Sequence, residues 1–117
     1  MTSVNSSRGV FLDRDGVINE VVFRNGKPAS PRTMEEFEFS PSVHESLQRL
    51  SSVGLRLFVV TNQPDVARRL ISLSVLQQMN NRILTTLPIT RVLVCPHDDA
   101  DACDCRKPKP GMLHEVA

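Results

Sequence analysis

Tryptophan and tyrosine are absent from this chain of 117 residues, aromatics make up only 4% of it, and neither charge sign prevails, with 14 Lys and Arg against 13 Asp and Glu. A net charge of +1 excludes the broad electrostatic footprint of a protein that grips nucleic acid chiefly through its phosphates. Long apolar runs are missing too. Stretches such as Leu57 to Val60 fall far short of the ~20 residues that a membrane span needs, so no membrane partner is expected. The opening MTSVNSSRG lacks the apolar core of a secretory signal, which points to the cytoplasm, to reduced thiols and to no disulfides. Repeats, low-complexity tracts and charge blocks do not occur. What remains is the profile of one domain, because domains commonly span ~100 to 150 residues. Residues 1–8 read as a flexible leader and 9–117 as the domain.

The order of elements follows from short apolar runs and their punctuation. Gly9-Val10-Phe11-Leu12-Asp13 reads as a strand buried on both faces. Val21 to Phe23 forms a hairpin arm with its turn at Asn25-Gly26, and Lys27 to Arg32 reads as a proline-containing loop. Ser40-Pro41 reads as an N-cap with proline at the first helical position, Val43, Leu47 and Leu50 recur at helical spacing, and Gly54 closes a helix over 41–53. Leu55 to Thr61 is a second strand. Ser74 caps a helix carrying Leu76, Met79, Ile83 and Leu87, which Pro88 ends, and Arg91 to Cys95 is a third strand. A helical turn follows Pro110-Gly111.

Strands alternating with helices imply right-handed crossovers and a parallel sheet, a Rossmann-like α/β fold in three layers. Such sheets gather ligands at the carboxyl ends of their strands. Asp13 and Asp15 follow strand one, Thr61 and Asn62 follow strand two, and Arg106-Lys107 follow strand three. In Asp13-Arg14-Asp15-Gly16 two carboxylates one residue apart share a side of an extended chain. One can attack phosphorus while the other protonates the leaving oxygen and then activates water. Both repel a phosphate dianion, so the chemistry requires a hard cation such as Mg²⁺ and a lysine opposite, for which Lys107 is available. Thr61 can offer its hydroxyl and N–H to phosphoryl oxygens. The bland alternative is a solvated turn in which aspartates cap backbone N–H groups.

Three motifs in order, FLDRDGVIN (Phe11 to Asn19), VVTNQPDVAR (Val59 to Arg68) and CRKPKPGM (Cys105 to Met112), resemble the haloacid-dehalogenase-like phosphatases, in particular the histidinol-phosphatase type that includes heptose bisphosphate phosphatases. The resemblance runs over residues 9 to 117. It implies that Asp13 is the nucleophile and a Mg²⁺ ligand, and that Asp15 is the general acid/base and lends its carbonyl to Mg²⁺. It also implies that Thr61 and Lys107 bind phosphate, with Arg106 and Asn62 at the substrate. The implied reaction belongs to carbohydrate metabolism: hydrolysis of a small sugar phosphate, D-glycero-D-manno-heptose 1,7-bisphosphate at its 7-phosphate, with histidinol phosphate as the rival substrate. Where the family pattern has glycine after Ala-Arg, this chain has Arg68-Arg69, which marks an altered loop.

Cys95-Pro96-His97 and Cys103-Asp104-Cys105 supply four ligands that can close a tetrahedron around Zn²⁺ with no open position, hence a structural site that projects Arg106 and Lys107 toward phosphate. Reduced cysteines in an acidic turn with Asp98, Asp99 and Asp101 are the alternative. His44 and His114 read as surface residues, Met79 and Met112 as packing. The family also has a later acidic motif and a fourth strand beside strand one. The expected sheet here is therefore truncated after its third core strand. Its exposed edge permits self-association of a chain whose full-length relatives are expected to be monomers. That leaves a second class of function, a catalytically impaired, zinc-stabilised fragment acting by association.

Overall fold

The computed structural model of the chain describes residues 8–97. Its centre is a parallel three-stranded sheet of β1 (Gly9–Asp13), β4 (Arg56–Asn62) and β5 (Arg91–Cys95), in the order β1-β4-β5. Val10 pairs with Leu57 and Leu12 with Val59, and Val59 in turn with Val92. The α/β class and the parallel sheet are as the alternation of elements predicts.

β4 is the strand covered on both faces, with Leu57 to Thr61 all buried. β1 is not, contrary to the expectation from its apolar run. Gly9, Phe11 and Asp13 are exposed while Val10 and Leu12 are half-buried. The reason is topological. Among the described residues β1 pairs only with β4, and Phe11, 42% exposed, has its ring stacked on Phe58 at 5.3 Å.

Both helices lie over one face. Leu57 and Val59 of β4 share a core with Val43 and Leu47 of α1 (Val43–Ser52) and with Leu76, Met79 and Ile83 of α2 (Leu73–Thr86). Phe58 and Val60 point the other way, because side chains alternate along a strand. Two successive right-handed crossovers in one direction put their helices on the same side. The described residues therefore form two layers of the three expected. Each fully buried Leu or Ile in this core contributes roughly 1.5–3 kcal/mol.

Three boundaries differ from the sequence reading. The first helix starts at Val43, not at residue 41: the Ser40 N–H is drawn to the Ile18 carbonyl at 2.9 Å, and Ser42 turns the chain at φ 63°. The second is capped by Ser72, whose Oγ accepts the Val75 N–H at 3.1 Å, rather than by Ser74. Lys27 to Ala29, read as loop, is a strand (β3) paired with β2 (Val22–Arg24) across a turn in which Asn25 and Gly26 both have positive φ. Pro28 is tolerated there opposite Phe23, one pair out from the turn, where ladder hydrogen bonds alternate away. The strand Arg91–Cys95 and the closing role of Gly54, at φ 87°, are as expected.

Candidate active site

The carboxyl end of the sheet is built by a tight turn after β1. The Arg14 carbonyl accepts N–H bonds from Val17, Ile18 and Asn19 at 3.2, 2.7 and 3.2 Å, and Gly16, at φ 87°, returns its own N–H to the Asn19 carbonyl at 2.7 Å. A Cβ would be strained at that φ. Burial alternates through the motif: Asp13 is exposed, Arg14 wholly buried, Asp15 half-buried. The Arg14 guanidinium lies 5.6 Å over the Phe37 ring and donates to Asn80 Oδ1 of α2 at 3.1 Å.

The Asp15 carboxylate accepts five side-chain hydrogen bonds. Its Oδ1 accepts from Arg14 Nε and Nη2 at 3.1 and 2.9 Å and from Asn19 Nδ2 at 3.0 Å. Its Oδ2 accepts from Ser30 Oγ at 2.5 Å and Gln63 Nε2 at 2.9 Å. Burial pushes the carboxyl up, but the Arg14 charge and the hydrogen bonds from Ser30, Asn19 and Gln63 outweigh it and hold the group below its ordinary 3.8. It is therefore a carboxylate at neutral pH.

Thr61 is buried near the end of β4, and its Oγ1 accepts from the same Gln63 Nε2 at 2.8 Å. Asn62 ends the strand half-buried, in register with Cys95. The next loop is tied to the hairpin: Arg32 Nε donates to Asp65 Oδ2 at 3.0 Å. The hairpin in turn is fixed by Arg24, whose guanidinium grips Glu36 at 2.6 and 3.2 Å and donates to the Ser30 carbonyl at 3.1 Å. Arg69, the residue at the expected glycine, adopts φ 61°. The altered loop thus keeps the backbone a glycine favours and places an arginine in it.

Asp13, Asp15, Thr61 and Asn62 accordingly share one end of the sheet. Arg106, Lys107, Cys103 and Cys105 lie outside the described residues. Among the described residues no three acidic, cysteine or histidine side chains converge to hold a metal ion. A Mg²⁺ ion needs no such cage, since it is commonly held by one or two carboxylates with waters and phosphate. The Asp13 carboxylate and the Asp15 main-chain carbonyl are oxygen donors of the kind that ion takes. Cys95 Sγ lies 3.6 Å from His97 Nδ1, the separation of about 3.6 Å that sulfur and nitrogen ligands have on tetrahedral zinc.

Ser30, Gln63, Asn19 and Arg14 had no assigned role in the sequence reading. Gln63 and Asn19 stand inside the two strand-end motifs, and that was their signal. Ser30 and Asn80 reach the cluster from 15 and 66 residues away, with nothing local to announce them.

Proteins of known description are similar to this chain over most of its length. Proteins of Pseudomonas aeruginosa and Pseudomonas putida, both named D-glycero-beta-D-manno-heptose-1,7-bisphosphate 7-phosphatase, are 38% identical over 112 residues and 36% over 113. Each match takes in 92% of this chain but only 60% and 62% of the relative, so the chain spans about three fifths of their length. The crystal structure of a D,D-heptose 1,7-bisphosphate phosphatase from B. bronchiseptica, complexed with magnesium and phosphate, superposes with a TM-score of 0.77 at 28% identity, over 94% of this chain and 62% of that one. A family described as polynucleotide kinase 3 phosphatase matches residues 12–117, from the middle of β1 through the whole cluster around Asp15, and the chain belongs to that family.

Proposed function

We propose that the chain carries the catalytic end of a Mg²⁺-dependent phosphomonoesterase acting on a sugar phosphate, D-glycero-D-manno-heptose 1,7-bisphosphate at its 7-phosphate. The observation that carries this reading is the chain of hydrogen bonds from Asp15 through Gln63 to Thr61, beside the exposed Asp13 at the strand ends. Asp13 Oδ attacks phosphorus, the bond from phosphorus to the sugar oxygen breaks, and Asp15 supplies the proton that the leaving oxygen takes up. The approach of a phosphate dianion opposes ionisation of Asp15, which is how a carboxylate at rest comes to hold that proton. A water then gives its proton to Asp15 and attacks the aspartyl phosphate, releasing phosphate and restoring Asp13. Thr61 and Asn62 hold phosphoryl oxygens, with Lys107 and Arg106 assigned the same task from beyond β5. Mg²⁺, when bound by Asp13 and the Asp15 carbonyl, neutralises charge between carboxylate and phosphate.

The family description names a polynucleotide, but a net charge of +1 supplies little phosphate-tracking surface, and the heptose reading agrees with the relatives' names. The test is phosphate release, with Mg²⁺, from heptose 1,7-bisphosphate, histidinol phosphate, an aryl phosphate and a 3′-phosphorylated oligonucleotide, with Asp13→Asn as the blank. Selective release from the heptose substrate is expected, and none from the variant. Preference for histidinol phosphate or the oligonucleotide replaces the substrate, and release that survives Asp13→Asn removes the aspartyl-phosphate route.

The same reading assigns Cys95, His97, Cys103 and Cys105 to a structural Zn²⁺, supported by the 3.6 Å between Cys95 Sγ and His97 Nδ1. Protein prepared under reducing conditions should contain about one zinc per chain; a folded, zinc-free chain rejects the site.

A further inference from the structure

Gln63 is wholly buried, and its side chain is placed by its nitrogen. Nε2 lies 2.9 Å from Asp15 Oδ2 and 2.8 Å from Thr61 Oγ1. Only the NH₂ end of an amide can face a carboxylate, so the Asp15 contact fixes which atom is nitrogen. The amide has two protons and directs one to each partner. Its carbonyl Oε1, among the described residues, is buried with no partner, a cost of roughly 1–3 kcal/mol that a surface amide avoids. The fold accepts that cost and keeps the nitrogen between the two groups.

The consequence falls on Thr61. A hydroxyl has one proton and two acceptor sites. With one acceptor site occupied by Gln63, the hydroxyl proton is directed away from the amide, toward whatever oxygen arrives at the strand end. The same amide holds Asp15 Oδ2, while Arg14 and Asn19 hold Oδ1. The backbone anchors the clamp: the Gln63 N–H donates to the Cys95 carbonyl at 2.8 Å, and the Gln63 carbonyl accepts the Val66 N–H at 3.2 Å.

We infer that Gln63 is a positioning residue that couples the two halves of the site, orienting the Thr61 hydroxyl as a donor to phosphate and the Asp15 carboxyl for proton transfer. This rests on the phosphatase reading for its chemistry, but not for its geometry. The experiment therefore has two arms.

In the first, the side-chain amide protons of Gln63 are followed by NMR in the parent, in Thr61→Val and in Asp15→Ala. Each variant is expected to move a different one of the two resonances. If neither responds, the inference falls whatever the protein's activity. In the second arm, Gln63→Met, nearly isosteric, is compared with the parent in phosphate release from an aryl phosphate, its melting temperature recorded alongside. Expected is a fall in kcat of about tenfold with KM within about threefold, and a smaller loss when Thr61→Val is already present, since groups acting through one another are not additive. An unchanged kcat, or fully additive losses, overturns the coupling. A parent that releases no phosphate while its Gln63 resonances respond as expected removes the phosphatase reading and leaves the clamp standing.

Discussion

The loop after β1 and the loop after β4 deliver polar residues to the same end of the sheet, and they differ in what holds them beyond their backbone turns. In the first, residues 14–20, Arg14 and Asn19 are wholly buried and converge on Asp15 with Ser30 and Gln63, while Asn80 holds Arg14. In the second, Gln63 and Asp65 are buried, but Ala67 to Leu70 are exposed, Arg69 stands at φ 61°, and Leu70 is 46% exposed. Both loops close on backbone hydrogen bonds, the second through the Arg68, Arg69 and Leu70 N–H groups to Pro64, Val66 and Asp65, but the first adds a part-buried charged cluster centred on Asp15. Rigidity by charge tolerates no loss of a partner. Rigidity by backbone turn tolerates a poor residue at one position.

Removing one arginine from each loop should expose this contrast, and it is the largest effect expected. Arg14→Leu leaves a half-buried Asp15 carboxylate without its arginine partner, at a cost of about 3 kcal/mol, the low end for a broken buried pair because Ser30, Asn19 and Gln63 still donate. Arg68→Leu removes a half-exposed guanidinium 4.0 Å from Asp65 and should change stability by less than about 0.5 kcal/mol. Equilibrium denaturation of both variants decides it. Equal losses would erase the distinction between the loops.

Acid should act through the first loop as well. The Asp15 pKa is lower in the folded chain than its ordinary 3.8, so its share of stability is fully present above about pH 4 and is lost as pH falls through the folded value. Glu36, lowered by its hydrogen bonds from Arg24 and the Arg32 N–H, moves in the same direction. Asp15→Asn should begin less stable at neutral pH and lose less on acidification. Parallel acid limbs for parent and variant would assign the effect to other carboxylates.

How much of this was legible beforehand depended on whether the cause was local. The parallel sheet, the Asn25-Gly26 turn and the third strand follow from apolar runs and turn chemistry. The start of α1 does not, because the Ser40 N–H is taken by Ile18, 22 positions earlier in the chain, a tertiary contact that overrides the Ser-Pro signal. Ser72 and Ser74 flank a single leucine, and periodicity alone cannot choose between them. The same holds for β1: an apolar run looks alike at the centre and at the edge of a sheet, and only the pairing order distinguishes them. In the site, Asp13, Asp15 and Thr61 stand out as polar residues closing apolar strands. Ser30 sits in a segment read as loop, and its bond to Asp15 exists only because the hairpin folds back over the turn.

A smaller effect than that of Arg14, and one that isolates the second loop, is expected at Arg69. A left-handed backbone costs an L-residue about 1–2 kcal/mol relative to the right-handed regions, while glycine adopts it without steric penalty but gives up more chain entropy on folding. Arg69→Gly should therefore stabilise the protein by about 0.5–1 kcal/mol, a rise in melting temperature of a few degrees for a domain of this size. Arg69→Ala separates the causes: it removes the guanidinium but keeps the Cβ that makes φ 61° unfavourable, so it should gain nothing. Equal stabilisation by both variants would trace the penalty to the charge of adjacent Arg68 and Arg69 instead of to the backbone. The second loop would then be governed, like the first, by electrostatics.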